Sequence, residues 1–301
     1  MPSVAATPDR PALVPLPGGI WLDRAQPVRE IPLRAVGGRD EAFLLDVAAL
    51  GPMERVNALL ARCLATDPDG PPAADLVSGL TVGDREALLL HLRRLTLGDR
   101  LDCVITCPAP ECREPMELSL TVSELLVAPD PEPRREHVVR LETGGEQLDV
   151  RFRLPTTADL AAVVDVSHAD PELGASVLLE RCVIDAGRGG RSFPVSSLDA
   201  RDRAAVAGAM AERDPQAVLE LDLVCPTCGR DVSLLFDAGE FLLQELDVRA
   251  TRLIEDVHAL ALHYHWSERD ILALPAERRE RYLELLATSL RERAAAGYAV
   301  P

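Results

Sequence analysis

The sequence contains no lysine; all 32 of its basic residues are arginine, a bias expected of a GC-rich bacterial genome and not a sign of function. Aromatic residues make up only 3%, so any core must be aliphatic, built from Leu, Val and Ala. No apolar run approaches the ~20 residues a membrane span needs. The stretch Met1 to Gly19 has no charged segment followed by an apolar one, so it is not an export signal. The expected setting is therefore the cytoplasm, with no membrane partner. A Gly-rich phosphate loop, a nucleophile elbow and a His-Glu-x-x-His pair are all missing, which points away from an enzyme. Positive charge is scarce as well. A net charge of −17 argues against a nucleic-acid partner, whose phosphates bind through Lys and Arg, and suits a basic protein partner.

What is present is cysteine in two close pairs. Cys107-Pro-Ala-Pro-Glu-Cys112 and Cys225-Pro-Thr-Cys228-Gly229 each lie between two strand-like runs. The flanking runs are Leu101–Thr106 and Met116–Leu120 for the first, Leu219–Val224 and Val232–Phe236 for the second. A hairpin with two thiolates at its tip is half of a tetrahedral zinc site. The spacing predicts one structural Zn²⁺ on Cys107, Cys112, Cys225 and Cys228, joining distant parts of the chain. Two other readings stay open here: a thiol-disulfide oxidoreductase on Cys225 and Cys228, and a nucleic-acid-binding zinc ribbon. Redox Cys-x-x-Cys pairs sit at helix N-termini, whereas this one sits between strands. Gly229 behind it can take the positive φ of a tight turn. The three other cysteines, Cys63, Cys103 and Cys182, fall on apolar faces and read as small core residues.

The chain also repeats a pattern. Residues 19–127 and 137–243 each begin with a hairpin, one spanning Ile20–Asp23 and Val28–Val36, the other His137–Glu142 and Leu148–Leu154, with its turn at Thr143–Glu146. Helices follow at Asp40–Asp46 and Asp159–Asp165, then helices ending Leu-Leu-Ala-Arg-Cys63 and Leu-Leu-Glu-Arg-Cys182. Thr81 and Asp199 are N-cap candidates, with Asp84 and Asp202 three residues on as in a capping box, and Leu80 and Leu198 at the staple position. Thr121/Glu124 and Asp237/Glu240 cap the next helices. Cys63 and Cys107 are 44 residues apart, Cys182 and Cys225 are 43 apart.

The expected fold is α+β: two tandem related repeats sharing a four-cysteine zinc site, then a helical region. The boundaries read as a disordered leader over 1–18, a first repeat over 19–127, a linker over 128–136, a second repeat over 137–243, and C-terminal helices over 244–301. In the last region Leu242, Leu243, Leu246, Leu253, Ile254, Val257, Leu260 and Ala261 form an apolar stripe. Ser267 caps a short helix and Pro275 opens the last one. His263 and His265 have no third ligand near, and Trp266 and Tyr282 read as packing residues.

The capped helix Thr81–Arg94, the run Arg93-Arg-Leu-Thr-Leu-Gly-Asp99, the following strand and the Cys-Pro knuckle together resemble the baseplate hub assembly chaperones of contractile-tailed phages and related injection systems. The segment Tyr264–Pro275, followed by Arg278-Arg279 and Arg281-Tyr282, looks like C-terminal segments of contractile-tail assembly proteins. The resemblance implies a non-enzymatic cytoplasmic assembly factor whose partner is the hub or spike protein.

Overall fold

A computed structural model describes residues 11–22, 26–65, 70–143, 146–188 and 191–295. The first ten residues of the expected leader, Asp23 and the start of the first hairpin's turn, the second hairpin's Gly144-Gly145 and the last six residues of the expected C-terminal region lie outside the described residues.

The chain begins with strand β1 (Ala12–Ile20), antiparallel to β2 (Val28–Leu33). This corrects the reading of residues 12–18 as disordered. Pro15 and Pro17 argue against a strand locally, but a two-stranded ribbon leaves each strand one free edge where a missing N–H costs nothing. Val14, Leu16 and Ile20 turn inward and are buried. Four helices follow: α1 (Gly38–Asp46), α2 (Pro52–Cys63), α3 (Ala73–Gly79) and α4 (Val82–Leu97). Then come the hairpin β3 (Arg100–Thr106) and β4 (Pro115–Thr121) and the single turn α5 (Val122–Leu125).

The second half opens with β5 (His137–Thr143) and β6 (Glu146–Phe152). Helices α6 (Thr157–Ala169) and α7 (Pro171–Cys182) lead into β7 (Val183–Arg188) and β8 (Arg191–Ser192), giving an antiparallel sheet ordered β5-β6-β7-β8. Helix α8 (Ala200–Arg213) and the hairpin β9 (Leu219–Val224) and β10 (Asp231–Phe236) complete it. The chain ends in α9 (Ala238–Tyr264), α10 (Glu268–Leu272) and α11 (Ala276–Ala295).

The predicted caps form. Thr81 and Asp199 accept the N–H of Asp84 and Asp202 at 3.1 and 2.8 Å. The box around Thr81 is not reciprocal: the Asp84 carboxylate instead accepts the N–H groups of Gly18 and Gly19, at 2.8 and 3.3 Å, and so fastens β1 to α4. Thr121 and Glu124 close a full box, with the Thr121 N–H 2.8 Å from the Glu124 carboxylate. Ser267 caps α10 as expected.

The two halves carry the same buried arginine–aspartate–arginine cluster. Asp40 accepts from Arg34 Nη1 and Nη2 at 2.6 and 3.0 Å and from Arg62 Nε at 3.0 Å. Asp159 accepts from Arg153 Nη1 and Nη2 at 2.5 and 3.0 Å and from Arg181 Nε at 3.0 Å. The backbone repeats too: Arg34 N–H donates to Cys63 O at 2.9 Å, and Arg153 N–H to Cys182 O at 3.0 Å. Cys63 and Cys182 are fully buried beside these clusters, where burial pushes their thiols up to about 12 and about 11. The halves differ after that point. Leu64 makes only an isolated bridge to Leu33, where Val183 begins a full strand.

Three cores result. The largest gathers β1, β2 and α1 to α4, and also takes Ala238, Leu242, Leu243 and Leu246 from α9. A second joins Leu148, Val150 and Phe152 to Leu179, Val206 and Met210. The third lies between the two cysteine hairpins. Helix α9 thus runs unbroken across the boundary expected at 243/244, because its first turns complete the core of the first half. Ile254, placed on the apolar stripe by periodicity, is exposed; Leu253 and Leu260 hold the buried face. The C-terminal helices are fixed by charge. Glu41 of α1, with no exposed surface, binds Arg279 of α11 at 2.6 Å and Arg249 of α9 at 3.0 Å. Tyr264, Trp266 and Tyr282 pack together, Trp266 edge-on to Tyr282 at 4.8 Å.

Candidate metal centre

The site sits where two hairpins meet tip to tip. In β3/β4 the register pairs Cys103 with Leu118 and Thr106 with Pro115; in β9/β10 it pairs Leu219 with Phe236 and Val224 with Asp231. Alternation puts Ile105, Met116, Leu223, Val232 and Leu234 on facing sides, and these form the third core directly beneath the cysteines. The tips are therefore held together by apolar packing as well as by any bound ion.

Each tip turns tightly. Cys107 N–H donates to Glu114 O at 2.9 Å, and Cys112 and Arg113 N–H both reach Ala109 O. In the second tip Cys225 N–H donates to Arg230 O at 2.9 Å and Gly229 N–H to Cys225 O at 2.8 Å. Arg113 and Gly229 follow the second cysteine of each pair, and both adopt positive φ, +53° and +69°. Only glycine takes that conformation without steric cost, so the longer first knuckle keeps the same turn at some expense.

All four predicted ligands come together. Their sulfur atoms lie within 4.8 Å of one another. Cys107 Sγ is 3.8 Å from Cys228 Sγ, and Cys112 Sγ is 3.9 Å from Cys225 Sγ. A tetrahedral ion with metal–sulfur bonds of about 2.3 Å requires sulfur–sulfur edges of about 3.8 Å, so the residues fit Zn²⁺. None of the seven cysteines forms a disulfide. Cys107 and Cys225 are buried and Cys228 is exposed. The sequence reading placed Cys103 in the core, and it is half-buried and outside the cluster.

The local electrostatics suit a cation. The Cys228 N–H, helped by that of Thr227, donates toward the Cys225 sulfur and outweighs burial, bringing the thiol down to about 7. The Glu114 N–H pulls the Cys112 thiol down, but burial and the three neighbouring thiols together push it up to about 12. Cys107 is raised despite the Ala109 N–H, by burial and by Cys225 and Cys228. Four thiolates this close repel one another; a divalent cation among them removes that penalty. Around the rim Arg230 lies 3.3 Å from Glu111, an exposed pair joining one knuckle to the other. Sequence reasoning missed it, although the two residues carry opposite charge beside a ligand in each knuckle.

The four-sulfur set leaves no open position for water or substrate. Zinc, when bound, supplies a crosslink between residues more than a hundred apart in sequence. His263 and His265 are remote in sequence and belong to no cluster of metal-ligating groups among the described residues.

Residues 25–243 match the model of the T4 bacteriophage base plate protein family. The chain belongs to that family. The match takes in both halves and all four clustered cysteines, and stops six residues into α9. It gives the chain a structural or assembly role in a phage-type baseplate, in contact with other baseplate components. No curated protein and no solved structure matches the chain. Among the described residues no helix is long and apolar enough to cross a membrane.

Proposed function

We propose that the protein is a non-enzymatic assembly chaperone or scaffold for the hub or spike of a phage-like contractile tail or injection system, and that it works in the cytoplasm. Its two halves are tandem repeats of one unit, stapled by a single structural Zn²⁺ on Cys107, Cys112, Cys225 and Cys228. The observation that carries this reading is the meeting of four thiols, two from each half, at tetrahedral spacing inside a baseplate-family chain. The matched clusters around Asp40 and Asp159 support the repeat. Zinc binding contributes on the order of 10 kcal/mol to folding, as it does in small zinc peptides.

The competing readings draw less support. Cys225 and Cys228 sit between strands and face two more thiols, not the helix N-terminus of a redox pair. The knuckle rim carries Glu111 and Glu114 beside Arg230, and the chain as a whole is strongly acidic, unlike a nucleic-acid ribbon. The test is co-expression of the tagged chain with the hub, spike, tube and sheath proteins of its own baseplate. Recovery of hub or spike is the expected result. Recovery of tube or sheath alone, with hub and spike left free, sinks the reading.

A further inference from the structure

Helix α9 fills a groove in the first half, and the matching groove in the second half is open. With Cys63 aligned to Cys182, Val56 and Leu59 of α2 match Ala175 and Leu178 of α7. With Thr81 aligned to Asp199, Glu86, Leu89 and Arg93 of α4 match Ala204, Ala207 and Ala211 of α8. In the first half these positions grip α9. Gly239 comes so close that a Cβ there would lie 3.4 Å from both Leu89 and Val56. The Ala238 N–H donates to Glu86, and Arg93 pairs with Glu245 at 2.9 Å. Helix α9 therefore runs in the same direction as α4.

In the second half no helix among the described residues covers the counterparts in this way. Ala204, Ala207 and Ala211 are exposed on α8 and line a cavity of about 540 Å³, with Leu179 and Met210 among its lining residues. Alanines in place of Glu86, Leu89 and Arg93 leave room for another backbone to approach closely. The cavity reaches Asp214 and the exposed Val218. There it adjoins a second cavity of about 700 Å³ that shares Val82, Leu160 and Val218. Glu54, Asp165, Asp237 and Glu240 line that second cavity, with Arg85 and His168 as its basic groups. An occupant would thus meet an apolar trough that turns acidic at one end.

We propose that the α7/α8 groove docks an amphipathic helix of a baseplate partner, parallel to α8, with apolar residues at i, i+3, i+4 and i+7 and Arg or Lys at its C-terminal end near Asp214. Basic residues at that end also suit the helix dipole. A second copy of this chain is a poor occupant. Its α9 already fills its own first-half groove, its α11 is held within its own chain by the buried Arg279 and Leu286, and α5 has four residues. The proposal deepens the assembly reading and rests on its pairing of the two halves.

The test titrates the full zinc-loaded chain with a labelled helical peptide of about four turns, Leu at those spacings and two Arg at its C-terminus. Expected is saturable binding that weakens at least about tenfold when Glu replaces the two Arg, and as much again with Ala207→Arg. Ala207 is exposed, so its variant should keep its zinc and melting temperature; Ala211→Gln serves as a second variant if it does not. No binding, or binding unchanged by both variants, overturns the proposal. So does a self-associated dimer that Ala207→Arg dissolves, which would put a second copy in the groove. Peptide binding without recovery of hub or spike leaves the groove standing and sinks the hub reading instead.

Discussion

Removing the buried Asp159 carboxylate should cost the chain about 3 kcal/mol of stability. Asp159 is 2% exposed and accepts five hydrogen bonds: two from Arg153, one from Arg181, and those of the Thr156 N–H and hydroxyl at 2.9 and 2.8 Å. Summing charge-assisted bonds at roughly 1.5–3 kcal/mol each overstates the loss. Arg153 and Arg181 are 35% and 43% exposed and rehydrate once the carboxylate is gone. Breaking a buried pair costs about 3–5 kcal/mol, and that exposure places Asp159→Ala near the lower end, about 3 kcal/mol. For a chain of this size that is a drop of roughly 5–10 °C in melting temperature. Burial acts against the ionised form, but the Arg153 and Thr156 hydrogen bonds win and hold the carboxyl well below its ordinary range. Its contribution is therefore full above the ordinary carboxylate pKa of about 4 and fades as pH falls through the lower folded value. Chemical unfolding at pH 7 with zinc saturating reads the first effect. The pH effect is read on parent and variant alike without added zinc, at pH 7 and near pH 3, because the thiolate ligands protonate and release the ion in acid. The gap between Asp159→Ala and the parent chain should be full at pH 7 and shrink in acid. Asp40→Ala, which removes the twin cluster, should behave alike. A cost under about 1 kcal/mol for both variants, or a gap that ignores pH, would refute the reasoning.

Three further outcomes are expected at Asp214, Arg113 and Arg279. Burial raises the Asp214 carboxyl to about 6 against the Gly83 N–H it accepts, with Asp84 and Glu86 adding to the rise. That stability is present below pH ~4 and lost as pH rises through 6, so Asp214→Asn should gain up to about 2–3 kcal/mol over the parent at pH 8 and nothing at pH 4, by urea unfolding. Arg113→Gly, at φ +53°, should raise stability by about 0.5–1 kcal/mol without changing metal content; a loss would mean that the side chain has a role beyond the turn. Arg279→Ala leaves the buried Glu41 with Arg249 alone, costs about 2–3 kcal/mol, and should speed amide exchange in α11 before it does so in α4.

Much of this was legible in the residues. Paired cysteines between alternating runs gave the two hairpins and brought the four ligands into one list. Ser, Thr and Asp before apolar periodicity gave the caps of α4, α8, α9 and α10. What escaped depended on partners distant in the chain. Strand β1 was hidden by its prolines, which only a free edge tolerates. Asp84 looked like half of a capping box, yet its carboxylate is claimed by Gly18 and Gly19. The periodicity of α9 showed that one face is apolar but not that the first half would bury it. The Arg34–Asp40–Arg62 cluster has no local signature, because its charges are 6 and 22 residues apart. A signal for it did exist: the same three residue types recur at 153, 159 and 181 with identical spacing, and aligning the halves residue by residue would have exposed it.

One ion shared by both halves is the centre of the proposed structure, and metal content per chain tests for it most directly. The parent chain, purified without added metal, should carry close to one equivalent of zinc, and Cys107→Ser and Cys225→Ser should each lose all but a small fraction, since neither knuckle alone offers four ligands. Zinc below about half an equivalent with all thiols free, iron in its place, or a single variant that keeps its full zinc would contradict it.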